Sequence, residues 1–256
     1  MVDSHTHILD DSLIDRADDI VRNMKADGLD FIVEISADPQ ESKACVEFAS
    51  KHKDVYCTIG VHPIFSDQYN DEFETWARTI KSDKIKAFGE CGLDYYHEGT
   101  RAPSREVQLP VFIRQIKLAN ELGLPLVIHS RDACVETYNI LKEHQQYLNN
   151  GVLLHCFSYS AKEEEMYKSL DCYFAFGGSI TFRNCDIATE AVRNTPLDRL
   201  LVETDAPYLA PVPVRRNINE PKYVRYIIEH IAKILNMTFD EVEKITTENA
   251  KRFFRV

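Results

Sequence analysis

Apolar residues fall along this chain in two alternating patterns. Short runs rich in β-branched and aromatic residues stand at Val2–Ile8, Phe31–Ser36, Val55–Val61, Ile85–Cys91, Leu124–His129, Val152–Phe157, Cys172–Phe176 and Leu200–Glu203. Most are nearly continuous, as strands covered on both faces must be. Between them apolar positions recur with the period of an amphipathic helix, at Leu109, Phe112, Ile113 and Ile116, and again at Val224, Ile227, Ile228 and Ile231. Thr238, followed by Asp240 and Glu241, reads as an N-cap with early acids that opens a last helix to about Phe254. Eight strand–helix alternations without a Pro/Gly/Ser-rich linker predict an α/β fold, a closed parallel (β/α)8 TIM barrel in one domain over residues 1–256.

Composition agrees with that expectation and narrows the setting. The 256 residues match the length of one barrel, and 44% hydrophobic with 28% charged residues suits a globular protein with a sizeable core. Met1-Val2-Asp3 leads straight into a strand pattern, so no signal peptide is expected, and no apolar run is long enough to predict a membrane span. Seven scattered cysteines without a CxxC argue against a disulfide framework and for a reducing cytoplasm. A net charge of −11 argues against holding nucleic acid by bulk electrostatics, and two divalent cations would reduce it only to −7. A nucleic-acid substrate would therefore need local basic contacts and the metals themselves.

Metal-capable residues gather where the strands end. His5 and His7 close the first run, Glu90 the fourth, His129 the fifth and His155 the sixth, and Asp205 follows the eighth. In a barrel these ends converge on the face where active sites form. His5 and His7, two apart, point to one side of a strand, as do His129 and Arg131, and Glu203 and Asp205. By the same alternation Cys91 and Cys156 turn outward as packing residues. A single strand-end histidine is more often a hydrogen-bonded structural residue than a ligand. Six such groups on five strands differ, because buried imidazoles and carboxylates need compensation. The set exceeds what one catalytic ion with an open position takes, commonly three ligands, and suits two divalent ions bridged by Glu90. The donors accept Zn²⁺, Mn²⁺, Co²⁺ or Ni²⁺, and Mg²⁺ where it is abundant.

The ordered motifs Asp3-Ser4-His5-Thr6-His7, Gly60-Val61-His62-Pro63, Gly89-Glu90-Cys91-Gly92-Leu93-Asp94-Tyr95-Tyr96, Ile128-His129-Ser130-Arg131-Asp132-Ala133, His155-Cys156-Phe157-Ser158 and Glu203-Thr204-Asp205-Ala206-Pro207-Tyr208-Leu209-Ala210-Pro211 span almost the whole chain, which ends in Thr246-Thr247-Glu248-Asn249-Ala250. Together they resemble the TatD family of metal-dependent deoxyribonucleases, within the wider amidohydrolase-type barrels. The resemblance implies that His5, His7 and Asp205 hold one ion, that His129 and His155 hold the other, and that Glu90 bridges them. It also implies magnesium-stimulated hydrolysis of DNA, including from the 3′ end. Departures from the family pattern stand at Leu9, Ile64 and Ile218.

The function expected is thus hydrolysis of DNA phosphodiesters, 3′–5′ exonuclease-like, by a hydroxide generated between two metals. Asp205 is the candidate for proton transfer, with Glu90 the other catalytic carboxylate. Glu203 is weighed equally as an orienting group and as a structural carboxylate. His62, Arg131 and Arg183 are candidate phosphate contacts. Tyr95 and Tyr96 either stack on a base or pack their loop, and Lys162–Glu165 reads as a solvated helix face. No obligate protein partner is expected. Alternatives are hydrolysis of a small amide, ester or lactone, deacylation of aminoacyl-tRNA, and a metal-binding partner protein without turnover.

Overall fold

The apolar runs form eight strands: β1 (Val2–Thr6), β2 (Phe31–Glu34), β3 (Val55–Ile59), β4 (Ile85–Asp94), β5 (Leu126–Arg131), β6 (Val152–Leu154), β7 (Tyr173–Phe176) and β8 (Leu200–Val202). In the computed structural model, which describes residues 1–256, they pair parallel in chain order from β1 to β8. The last seam is closed differently. One bridge joins Thr6 to Ala206, the His7 amide donates to Ala206 O at 2.7 Å, and the Asp205 amide donates to His5 O at 2.9 Å. Side chains complete it: Ser4 Oγ donates to Val202 O at 2.8 Å, and Asp3 accepts from the Thr204 amide at 2.8 Å. The result is a (β/α)8 TIM barrel.

The helices are α1 (Ala17–Asn23), α2 (Pro39–Lys51), α3 (Asp71–Thr79), α4 (Arg105–Leu122), α5 (Cys134–Glu143), α6 (Ala161–Lys168), α7 (Asp186–Asn194), α8 (Val224–Leu235) and α9 (Phe239–Phe254). None is long and apolar enough to cross a membrane. The periodic positions bury as their spacing requires. Val224, Ile227, Ile228 and Ile231 are fully buried, as are Phe112 and Ile116, with Leu109 and Ile113 at the edge of the contact. Thr238 and Glu241 form a reciprocal capping box that starts α9.

Two cores follow from strand alternation. Ile32, Phe88, Cys91, Ile128, Leu154, Phe174 and Val202 face the helices in the larger one. Val2, Val33, Ala87, Val127, Leu153, Ala175 and Leu201 meet inside the barrel, where Phe253 and Phe254 of α9 join them. This inner layer is the floor of the site. On β5, β6 and β8 the next inward positions above it are His129, His155 and Glu203. On β1 and β4 the step is three residues, from Val2 to His5 and from Ala87 to Glu90, because the pairing register slips between Asp3 and Thr6 and between Phe88 and Cys91.

Two expectations are corrected. Glu164 does not lie on a solvated face: it is fully buried, accepting hydrogen bonds from Thr195 Oγ1 and Asn194 Nδ2 that tie α6 to α7. Cys91 packs outward in the larger core, but Cys156, turned by a positive φ of 44°, is half-buried and joins neither core.

Candidate metal centre

The strand ends bring four imidazoles around one carboxylate. Glu90 Oε1 lies 2.7 Å from His155 Nε2 and 2.8 Å from His129 Nδ1. Its other oxygen, Oε2, lies 3.4 Å from His5 Nε2 and 3.9 Å from His7 Nε2. Asp205 Oδ1 stands 3.7 Å from His5 Nε2 and 3.6 Å from His7 Nε2. Glu90 thus turns one oxygen to each pair of histidines, and Asp205 faces only the His5–His7 pair. Asp205 owes its aim to a positive φ of 56° just past β8. Glu90 is set by Gly89 and Gly92, where a side chain would collide with the backbone of β5, at Val127 and His129 respectively.

The outward nitrogens of these rings show what the inward ones carry. His7 Nδ1 is 3.1 Å from Ile35 O, His155 Nδ1 is 3.2 Å from Glu203 Oε1, and His129 Nε2 is 3.1 Å from Asp94 Oδ2. Each partner only accepts, so each of these nitrogens bears the proton. In the neutral rings the inward nitrogens are then lone pairs, facing carboxylate oxygens at close range. Acceptors so placed repel unless a cation lies among them, and hydrogen-bonded outer partners of this kind are the usual support of histidine ligands. The donor set fits divalent cations. Without one, protons serve instead. Burial opposes charge on His155, but Glu90 and Glu203 outweigh it and hold its pKa well above the ordinary value. Burial likewise opposes charge on His7, but the hydrogen bond and charge of Asp205, with Glu90, raise its pKa to about 9. Glu90 is ionised despite burial because His155, His62 and His5 surround it, and Asp205 because of its hydrogen bond with His7 and the nearby imidazoles.

His62 also reaches the cluster, its Nε2 3.6 Å from Glu90 Oε1. Its Nδ1 accepts from the Ile64 amide at 3.1 Å, which leaves the proton on Nε2. Burial, and then the charge of His129, push its pKa down to about 3. At neutral pH His62 is an uncharged donor pointing into the site. Arg131 is exposed at the end of β5, its guanidinium 4.2 Å above the ring of Tyr96, which is itself 59% exposed. Tyr95 instead packs under Arg105 and donates to Glu136. Arg183 is exposed on the loop after β7 and takes no part in the cluster. The neighbouring Arg215 stacks on Phe182 at 4.1 Å.

Sequence reasoning assigned nothing to three buried carboxylates that shape this centre. Asp94 accepts from His129, from His97 Nδ1 at 2.9 Å and from the His97 amide at 2.9 Å. Glu34 accepts the amides of Ile8 and Leu9, fixing the chain just after His7, and Asp3 clamps Thr204 beside Asp205. Burial raises the pKa of both Glu34 and Asp3 to about 8. For Asp3 and Glu34 the available signal was an acidic residue inside an apolar run, whereas Asp94 lies past the end of its run.

The whole chain is similar to known proteins. A family model described as TatD related DNase matches residues 2–255. The chain is 37% identical over 257 residues to an uncharacterized metal-dependent hydrolase, YabD, of Bacillus subtilis (strain 168), covering 100% of this chain and 99% of the relative. It is 35% identical over 262 residues to an uncharacterized metal-dependent hydrolase, YcfH, of Escherichia coli (strain K12), covering 100% and 96%. Among solved structures, YjjV, a TatD homologue from Escherichia coli K12, superposes with a TM-score of 0.92 at 24% identity, covering 100% of this chain and 98% of that one.

Proposed function

The chain belongs to the TatD family, and from that premise we propose that it is a metal-dependent hydrolase that uses two divalent cations to cleave phosphodiester bonds of DNA, 3′–5′ exonuclease-like. The observation that carries the two-cation reading is the division of Glu90, one oxygen toward His129 and His155, the other toward His5 and His7. One cation would be held by His5, His7 and Asp205 and the second by His129 and His155, with Glu90 offering an oxygen to each. Mg²⁺ is the expected ion for activity, and the same donors accept Zn²⁺, Mn²⁺, Co²⁺ or Ni²⁺. Two bound cations would supply acidity to a water molecule and positive charge to set against phosphate oxygens.

The protein's residues do the rest. Asp205 takes the proton released by the attacking water. It is the more open of the two carboxylates, its side chain 14% exposed against 4% for Glu90, and its depressed pKa keeps it ready to accept. Glu90, enclosed by imidazoles, orients rather than transfers. His62 offers its Nε2–H to a phosphate oxygen without adding charge. Arg131 lies at the mouth, where a guanidinium can take a neighbouring phosphate with two parallel hydrogen bonds, and Arg183 serves the same purpose on the β7 loop.

DNA is the favoured substrate because the family description names a DNase and because the exposed Arg131 and Arg183 follow strand ends on the side of the barrel that carries the cluster, despite the net charge of −11. The test is cleavage of 3′- and 5′-labelled single-stranded DNA by metal-stripped protein with Mg²⁺, Mn²⁺ or Zn²⁺ restored, beside the Asp205→Ala variant. Metal-dependent shortening absent from the variant is expected. No shortening by protein that binds two ions would move the assignment to a small amide, ester or lactone, the reading that the acidic surface favours.

A further inference from the structure

Buried polar atoms in folded proteins are nearly always paired, and five buried side-chain atoms here are not: His5 Nδ1, Thr6 Oγ1, Ser66 Oγ, His144 Nδ1 and Glu203 Oε2. Two of the five belong to the metal centre. His5 and Glu203 are both fully buried, and their orphaned atoms are complementary. With His5 Nε2 turned toward Glu90 Oε2 at 3.4 Å as a ligand nitrogen, the neutral ring carries its proton on Nδ1, a donor. A carboxylate oxygen only accepts.

Placement adds a second observation. The rings of His5 and His155 are stacked, 3.9 Å between centroids and 13° between planes. Each turns Nε2 to Glu90, one to either oxygen. A ring nitrogen of His5, a ring nitrogen of His155 and a carboxylate oxygen of Glu203 lie within 4.8 Å of one another. Glu203 Oε1 is already occupied, accepting from His155 Nδ1 at 3.2 Å and from the Cys156 amide at 2.6 Å. Oε2 and His5 Nδ1 each make no direct hydrogen bond, and two hydrogen bonds of about 2.8 Å through one water span a separation of that order.

We propose that Glu203 is a positioning residue for both cations, orienting His155 directly through Oε1 and His5 through a buried water on Oε2. One carboxylate behind the stacked rings thereby fixes a ligand of each ion. The inference rests on the two-cation reading above and assigns Glu203 no contact with substrate.

The test uses the Glu203→Gln variant, which keeps the shape and removes the charged acceptor. Zinc affinities of the two sites are measured by competition with a chromophoric chelator, the sites being told apart with Asp205→Ala and His129→Ala. Imidazole N–H resonances of the zinc-loaded protein are recorded alongside. Both sites should weaken by about tenfold or more, and the N–H resonances of His5 and His155 should both shift. A change confined to His155 and its ion would show that Glu203 serves that ring alone, and would overturn the proposal. Wild-type affinities and resonances at both sites would overturn it as well. If the Gln variant does not fold, Glu203→Asp, which retains the charge but retracts the oxygens, carries the same expectation. Wild-type protein that takes up fewer than two zinc ions would instead defeat the two-cation reading.

Discussion

Replacing Asp94 with Asn tests how His129 is aimed. Asp94 is held by Gln108 of α4, which bonds its backbone amide at 2.8 Å and its carbonyl at 3.0 Å. Its Oδ1 accepts from the His97 backbone amide, while Oδ2 accepts from His97 Nδ1 and from His129 Nε2. Burial favours the neutral acid, but the hydrogen bonds from His129 and His97 outweigh it and keep the group ionised. An asparagine has only one acceptor oxygen. The backbone amide of His97 cannot change its proton, so that oxygen belongs at the Oδ1 position and the NH₂ falls at Oδ2. There it meets His129 Nε2–H, donor against donor. Relief requires moving the His129 proton to Nδ1, the nitrogen that faces Glu90 at 2.8 Å and would otherwise bind the cation. Loss of such an outer partner costs about 10–100-fold in metal affinity, or about 1.4–2.7 kcal/mol, and the tautomer change pushes the effect to the upper end. His5, His7 and Asp205 do not touch Asp94, so their ion should bind as in the wild type. Stepwise zinc titration against a chelator reads both. His97→Ala, which leaves the Asp94 carboxylate facing His129, should stay within about threefold of wild type. A second ion bound at wild-type affinity by Asp94→Asn, or equal loss of both ions, would refute the reasoning.

Three further outcomes are expected. Gly92 has φ 144°, and an added Cβ would overlap the carbonyl oxygen of His129; Gly92→Ala should cost about 3 kcal/mol and lower Tm by about 6–12 °C, and an unchanged melting temperature would count against it. Because Asp205 and Glu90 raise the pKa of His7 to about 9 against the effect of burial, the metal-free ring is charged at neutral pH and must shed its proton to bind a cation. Zinc affinity of the His5–His7–Asp205 site should therefore rise with pH through neutrality toward about 9, and calorimetry at pH 7.5 should give binding enthalpies that depend on the buffer's ionisation enthalpy; buffer-independent enthalpies would sink the assignment. Removing the buried acceptor in Glu164→Ala takes one hydrogen bond each from Thr195 Oγ1 and Asn194 Nδ2, which keep Ala191 O and Ala161 O as acceptors, and the two lost bonds should cost about 1–3 kcal/mol, read from the urea midpoint, which a solvated Glu164 would leave in place.

The barrel was legible because its strands are buried on both faces, so each apolar run stands out from the helical stretches around it. The ligand candidates were legible for a related reason: one metal-capable side chain at the end of an apolar run is usually structural, but five runs ending that way share no structural explanation. What period-two reasoning could not reveal is the extra residue in β1 and β4. Without those slips, Val2 and His5, or Ala87 and Glu90, would point to opposite sides of the barrel wall, yet in each pair both point inward. A bulge depends on how two distant strands pair, and nothing within either strand announces it. Glu164 was misread for the same reason, since its partners lie some thirty residues away on α7. Asp94 was passed over because β4 runs three residues beyond the apolar stretch that predicted it, placing that carboxylate behind His129 instead of in a loop.

The seam between β8 and β1 connects the fold to its chemistry. Every other pair of neighbouring strands is joined by ladder hydrogen bonds, whereas here Asp3, Ser4 and Thr204 supply side-chain ties beside a single bridge. The proposed first cation takes its ligands from both sides of this seam, His5 and His7 from β1 and Asp205 from the residues after β8. Each backbone hydrogen bond across the seam ends on a ligand or its neighbour: the Asp205 amide on His5, the His7 amide on Ala206. Movement of one strand against the other would therefore separate the ligands directly, and a cation bound to the three would resist it. Stabilisation by a bound ion grows with its concentration over the dissociation constant. The seam that lacks a ladder is thus also one that a cation bound to these three ligands would help hold closed.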